Sequence, residues 1–361
     1  LEKTTPIGSL KKEFAGNLLK SNSLGTVDSS NETNMSFHYT QIRTGERKWG
    51  EVLEARSWDH PDVQFVLVGI PEDVGVRANG GNPGAAQTPE AVFRALCNLQ
   101  DNRWAPKNVG LLGMVPVADL QEQANAHSSS TPEGLEALRA LTAEVDQRVL
   151  ETLAPVWAAG KIPIAVGGGH NNALPLLVGA SGAHGAPVDA LNIDAHTDWR
   201  PLEGRHSGNG FKAARAQNAL DRYAVWGLQE AYTPESILEA FDRDPHRSFA
   251  SFESFAVRGE TSETDAWNRC LAFLRAHAPF GLEVDLDAVR GFPSSAATQT
   301  GMSMESVRRA VYAAAQTQRP AYLHVCEGIA VAPNGTVHAG VAKAIAALVV
   351  DFVRGYASPL E

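Results

Sequence analysis

Cysteine is scarce: three in 361 residues, at positions 97, 270 and 326, with no CxxC pair among them. That excludes a disulfide framework, argues against a thiolate zinc site, and makes a reducing, cytoplasmic compartment the expectation. Long apolar runs are missing as well. No stretch approaches the roughly 20 residues needed to cross a bilayer, so no membrane partner is expected. Basic charge is in deficit, 31 Lys and Arg against 41 Asp and Glu for a net charge of −10. A nucleic-acid or anionic-surface partner is therefore disfavoured. What remains, 43% hydrophobic and 20% charged residues, is ordinary for a globular chain with a sizeable core.

Residues 1–40 stand apart. They carry a Ser/Asn/Thr-rich run from Ser21 to Asn31 with little periodicity and no apolar segment of the secretory kind. A leader or poorly structured segment is expected there, followed by a single domain over 41–361. From about residue 60, buried-type strands alternate with amphipathic helices. Strands are expected at 64–70, 109–115, 162–166, 188–193, 223–227, 249–255, 280–286 and 321–326. Helices are expected at 89–99, from Thr131 to about Ala159, and at 263–277, 303–318 and 337–353. This alternation implies an α/β fold with a parallel sheet covered on both faces, ligands lying beyond the carboxyl ends of its strands.

Those carboxyl ends carry the chemistry. Asp194, His196 and Asp198 sit at i, i+2 and i+4 beyond the fourth strand, so on extended backbone their side chains leave one face. Two carboxylates and an imidazole on one face repel and resist desolvation unless a cation sits among them. The third strand runs into Gly167-Gly168-Gly169-His170. This turn lacks the GxGxxG spacing and the Lys-Ser/Thr of a phosphate loop, and its glycines instead let the backbone pass close to an ion ligated by His170. The seventh strand ends in Glu283-Val284-Asp285-Leu286-Asp287, with Asp285 and Asp287 on one face, and the eighth in His324-Val325-Cys326-Glu327. His170, Asp194, His196, Asp198, Asp285 and Asp287 exceed what one tetrahedral site needs. Two bridged divalent cations fit better, and oxygen-rich ligation with imidazole suits Mn(II).

GGGH, DAHTD and EVDLDA, in this order, resemble the arginase/ureohydrolase family, and the resemblance runs over roughly residues 60–355. It implies a three-layer α/β/α sandwich around an eight-stranded, mainly parallel sheet. It also implies two Mn(II) per chain on the six side chains just named, and hydrolysis of guanidino or amidino C–N bonds. Asp198 would then relay a proton to the leaving amine, and Glu327 would receive the cationic end of the substrate. The loops 70–79, with Asn79, and 201–209 look like those of the formimidoylglutamases within the family.

The departures from arginases bear on the substrate. Ser207 and Asn209 are retained where arginases reach the substrate carboxylate, but Phe211 replaces a histidine. Arg200 and Arg205 stand where uncharged residues would be expected, and guanidinium is the natural fork for carboxylate. Glu230 and Tyr232 fall where arginases hold the α-ammonium, although Tyr232 replaces an acid. The expectation is a binuclear manganese hydrolase of N-formimidoyl-L-glutamate. The alternatives are another ureohydrolase acting on a guanidino acid, and a metal-poor family member that serves as a scaffold. A homo-oligomer is left open by the sequence.

Overall fold

The computed structural model describes residues 39–358, so most of the expected leader lies outside the described residues. Its last two positions are held in place: the Tyr39 carbonyl accepts from Asn98, and Thr40 donates to Glu54.

Eight strands form one sheet in the order β2-β1-β3-β8-β7-β4-β5-β6. They are β1 Phe65–Gly69, β2 Val109–Met114, β3 Ile162–Val166, β4 Val188–Ile193, β5 Leu220–Leu228, β6 Arg247–Ser251, β7 Phe280–Asp285 and β8 Tyr322–Cys326. Every pairing is parallel. Every residue of β1, β4, β7 and β8 is buried, as a strand covered on both faces must be. The helices Pro132–Ala158, Ala173–His184 and Gly210–Ala216 pack side by side on one face. Thr88–Cys97, Met304–Thr317 and Val341–Ala357 pack together on the other. The result is the expected three-layer α/β/α sandwich. Among the described residues, no helix is long and apolar enough to cross a membrane.

The strand order decides where a ligand sits. After β3 the chain leaves the β1–β3 side and passes over β8 and β7 to begin β4. The crevice beyond the carboxyl ends opens at such a reversal. The four central strands, β3, β8, β7 and β4, are the ones whose carboxyl ends carry the acidic and imidazole motifs.

Among the element ends that differ from the expectation, three have a plain local reason. The sixth strand stops at Ser251, whose hydroxyl accepts from the Ser254 N–H and turns the chain. The helix Glu263–Phe273 ends short of 277, because the next residues unwind and the Arg275 N–H is taken by Asp189. The last helix begins at Val341, since Val337 forms an antiparallel bridge with Val331. The long helix begins as read, with Thr131 Oγ1 accepting from the Gly134 N–H, and it runs through Pro155 to Ala158.

Candidate metal centre and substrate wall

His170 is the hub. It opens a single turn of helix after the three glycines, two of which take positive φ (Gly167 at 87°, Gly168 at 75°). A Cβ on Gly168 would lie 2.4 Å from Asn172 and 2.9 Å from Glu72, so a side chain there would break the turn. The buried Glu72 carboxylate organises the same turn, accepting from the Gly169 N–H at 2.9 Å and from Asn172 at 2.6 Å. His170 Nδ1 then lies 2.9 Å from Asp198, 3.0 Å from Asp285 and 3.3 Å from Asp194. The ligand atoms of these four residues fall within 4.8 Å of one another.

His196 and Asp287 extend the cluster. His196 Nδ1 is 3.5 Å from Asp194 Oδ1 and 3.9 Å from Asp287, while Asp194 Oδ2 faces His170. Asp194 thus presents one oxygen to each imidazole. All six expected ligands come together, and among the described residues the only cationic groups paired with these four aspartates are His170 and His196. Burial and mutual repulsion push Asp198, Asp285 and Asp287 up. Burial would lower His196, but Asp194 and its neighbours lift it to about 10. Such a site is poorly balanced without a cation, and both ring nitrogens of His170 lack a hydrogen-bond partner. Oxygen and imidazole donors of this number fit a pair of hard to borderline divalent ions.

Two of the site's residues sit in backbone conformations uncommon for their type. Asp198 has φ 44° and Glu327 has φ 63°, in the left-handed region that costs a residue with a Cβ about 1–2 kcal/mol. Glu327 is 2% exposed. Its Oε1 accepts from the His170 N–H at 2.7 Å, and its Oε2 has no partner. Burial, reinforced by Asp287, pushes its carboxyl up.

The expected substrate residues divide. Arg200 is half exposed and donates to Asn79 at 2.7 Å, and Asn79 donates to Ser207 at 3.2 Å, so these three form one cluster. Tyr232 is also brought to the metal ligands, its ring stacked on His196 at 5.8 Å between centroids. Arg205 is not free. Its donors go to Asp146 at 2.6 and 3.3 Å, to the Asn171 carbonyl at 2.9 Å, to the His206 carbonyl and to Asn209. Asn209 is fully buried and donates to the Pro201 and Gly204 carbonyls. Arg205 and Asn209 therefore pin the 199–209 loop to the long helix and offer no open fork. Glu230 turns away to Arg258 at 2.6 and 2.8 Å and to Ser251. Phe211 is a wall behind His170, edge-on to its ring at 5.1 Å and stacked on Tyr223 at 4.4 Å.

Sequence reasoning passed over Glu283, Tyr322 and His324. Glu283 is fully buried, accepts from the Tyr322 hydroxyl at 2.6 Å and pairs with His324 Nδ1 at 2.6 Å. The signal was its register, two residues before Asp285 and so on the same face of β7. Cys326 lies near His170 and His324. Burial pushes its thiol well up, and Sγ faces the Val284 carbonyl at 3.6 Å, so it stands there as a thiol and not a thiolate ligand.

The sequence model of the arginase family matches residues 63–352. Among curated proteins, the formimidoylglutamase of Aromatoleum aromaticum is 32% identical over 205 residues, covering 54% of this chain and 55% of that protein. The formimidoylglutamase of Chromobacterium violaceum is 30% identical over 217 residues, covering 56% and 63%. The matches thus span between about half and two thirds of these relatives' own length. Among solved structures, a Trypanosoma cruzi formiminoglutamase variant with Mn2+ superposes with a TM-score of 0.69 at 20% identity, covering 88% of this chain and all of that one. The formimidoylglutamase of Bacillus subtilis does so with a TM-score of 0.65 at 14% identity, covering 94% and 98%. At such identities the superpositions speak to the fold.

Proposed function

Because the chain belongs to the arginase family, we propose that it is a binuclear manganese hydrolase that splits N-formimidoyl-L-glutamate and water into L-glutamate and formamide. The observation that carries this reading is the convergence of four carboxylates, those of Asp194, Asp285 and Asp287 buried and that of Asp198 partly so, with His170, and with no Lys or Arg paired to them among the described residues. His170, Asp194, Asp198 and Asp285 would hold one ion, and His196, Asp287 and Asp194 would contribute to the other. Bound there, the cations would polarise a water and lower its pKa towards neutrality, which supplies a nucleophile without a strong base.

The chain's own residues do the rest. The unpartnered Oε2 of the buried Glu327 receives the amidinium end of the substrate in a charge-assisted pair. Asp198 is the most exposed of the four aspartates, at 13% of its side chain. It therefore borders the space the substrate enters and is placed to carry a proton from the water to the departing glutamate nitrogen. Arg200, with Asn79 and Ser207, faces solvent and grips a substrate carboxylate. Tyr232 walls the site beside His196. Arg205 and Asn209 act one step back, by holding the loop that carries Arg200.

The test is product analysis over a panel of formimidoyl-glutamate, arginine, agmatine and shorter guanidino acids. Formamide from the first and no urea from the others is the expected result. Brisk urea release from arginine would sink the substrate assignment and leave family membership standing. Arg200→Ala should raise KM for formimidoyl-glutamate by on the order of 2–4 kcal/mol, with Lys restoring only part, because a point charge lacks the planar fork.

A further inference from the structure

The His170 ring has two nitrogens, and only one of them faces the aspartates. Nδ1 looks at Asp194, Asp198 and Asp285, while Nε2 looks at Glu283 Oε2 across 3.6 Å. An imidazole that gives the lone pair of one nitrogen to a cation carries its proton on the other, so the orientation of the far nitrogen sets the tautomer. Here the far nitrogen is Nε2.

Glu283 is built to meet it. The residue is fully buried on β7, opposite His324 in the register with β8, and Tyr322 lies two residues before His324 on the same face. Tyr322 donates to Oε1 at 2.6 Å and His324 Nδ1 meets Oε2 at 2.6 Å. The carboxylate is thus held from two sides and cannot swing towards solvent or towards the aspartates. A buried carboxylate with only local partners adds little to stability over an apolar side chain of the same size. What it adds here is an acceptor fixed opposite one particular ring nitrogen.

Resting on the metal reading above, we infer that Glu283 is a positioning residue for His170. Its carboxylate, facing Nε2 across 3.6 Å, favours the tautomer that keeps the proton on that nitrogen and so turns the Nδ1 lone pair to the metal, and it is itself locked by Tyr322 and His324. Outer partners of this kind typically change metal affinity by about 10–100-fold when lost.

The experiment titrates metal-free protein with Mn(II), following the free ion by electron paramagnetic resonance, for wild type, Glu283→Gln, His170→Asn and the double variant. Expected is at least tenfold weaker uptake of the more weakly held ion in Glu283→Gln, with no further loss when the same change is added to His170→Asn. A loss of equal size in both backgrounds would overturn the inference, because Glu283 would then be acting on the fold and not through His170. Uptake by Glu283→Gln identical to wild type would overturn it as well. If Glu283→Gln fails to fold, Tyr322→Phe removes one of the two locks: a measurable weakening absent in the His170→Asn background supports the inference, and unchanged uptake overturns it. Failure of the substrate reading looks different, as normal manganese uptake with no formamide released.

Discussion

Replacing Arg205 with Ala separates a loop anchor from a substrate ligand. The Arg205 side chain is 14% exposed and its partner Asp146 10%, and Asp146 accepts from Nε at 2.6 Å and from Nη2 at 3.3 Å. Burial raises the Asp146 carboxyl, and Arg205 is what opposes that rise. Removing the guanidinium therefore strands a buried acid and also leaves the Asn171 carbonyl and Asn209 Oδ1 short of a donor. Breaking a buried pair from one side costs about 3–5 kcal/mol. With roughly 2.1 cal/mol/K of unfolding entropy per residue over 361 residues, the melting temperature should fall by about 4–7 °C. Differential scanning calorimetry of Arg205→Ala against wild type reads this directly. A matched apolar pair, Arg205→Met with Asp146→Leu, should recover most of the loss, because nothing charged is then left buried. An unchanged melting temperature together with a large rise in KM would refute the reasoning and return Arg205 to the substrate wall.

Glu327→Gln should lower turnover of an amidine substrate by on the order of 2–4 kcal/mol in kcat/KM while manganese content, read by elemental analysis, stays at the wild-type value. Chelating the metal should lower the melting temperature, since an ion that binds only the folded chain stabilises it by about 2.7 kcal/mol at a hundredfold excess over Kd. Equal melting curves with and without chelator would count against a shared cluster. His206 offers a pH test outside the ligand cluster. It is fully buried with both ring nitrogens unpartnered, and burial together with Arg200, Arg139 and Arg205 lowers it from 6.5 to about 3. Its neutral form is the one the fold holds, so its contribution is intact above pH 6.5 and is lost as the pH falls towards 3. Urea denaturation at pH 7 and pH 5 should show His206→Leu losing about 1–2 kcal/mol less than wild type over that interval. Parallel losses in the two proteins would dismiss His206 as the source.

The metal cluster was legible because each motif is local. Strand periodicity alone puts Asp194, His196 and Asp198 on one face, and Asp285 and Asp287 on another, and parallel α/β topology brings those strand ends to one edge. The neighbours of a strand are not local. That β7 lies against β8, so that Glu283 meets Tyr322 and His324, follows from the strand order. Nothing in the alternation of strands and helices states that order. Arg205 misled for a similar reason. Its partner Asp146 lies 59 positions earlier, within the long helix expected only as an amphipathic element from Thr131 to about Ala159. Glu230 was drawn away by Arg258, 28 positions on, in a loop with no periodicity to place it. Phe211 was noticed as a replacement, but that it would brace the His170 ring needed the packing of two elements at once.

The central claim is that six converging side chains make one two-ion site. Elemental analysis of metal-free protein reloaded with Mn(II) and passed through a desalting column tests it most directly, in wild type and in His170→Asn. Two manganese ions per chain in the wild type, falling to one in His170→Asn, is the result predicted. A wild type that retains one ion or none, or a His170→Asn protein that still retains two, would contradict it.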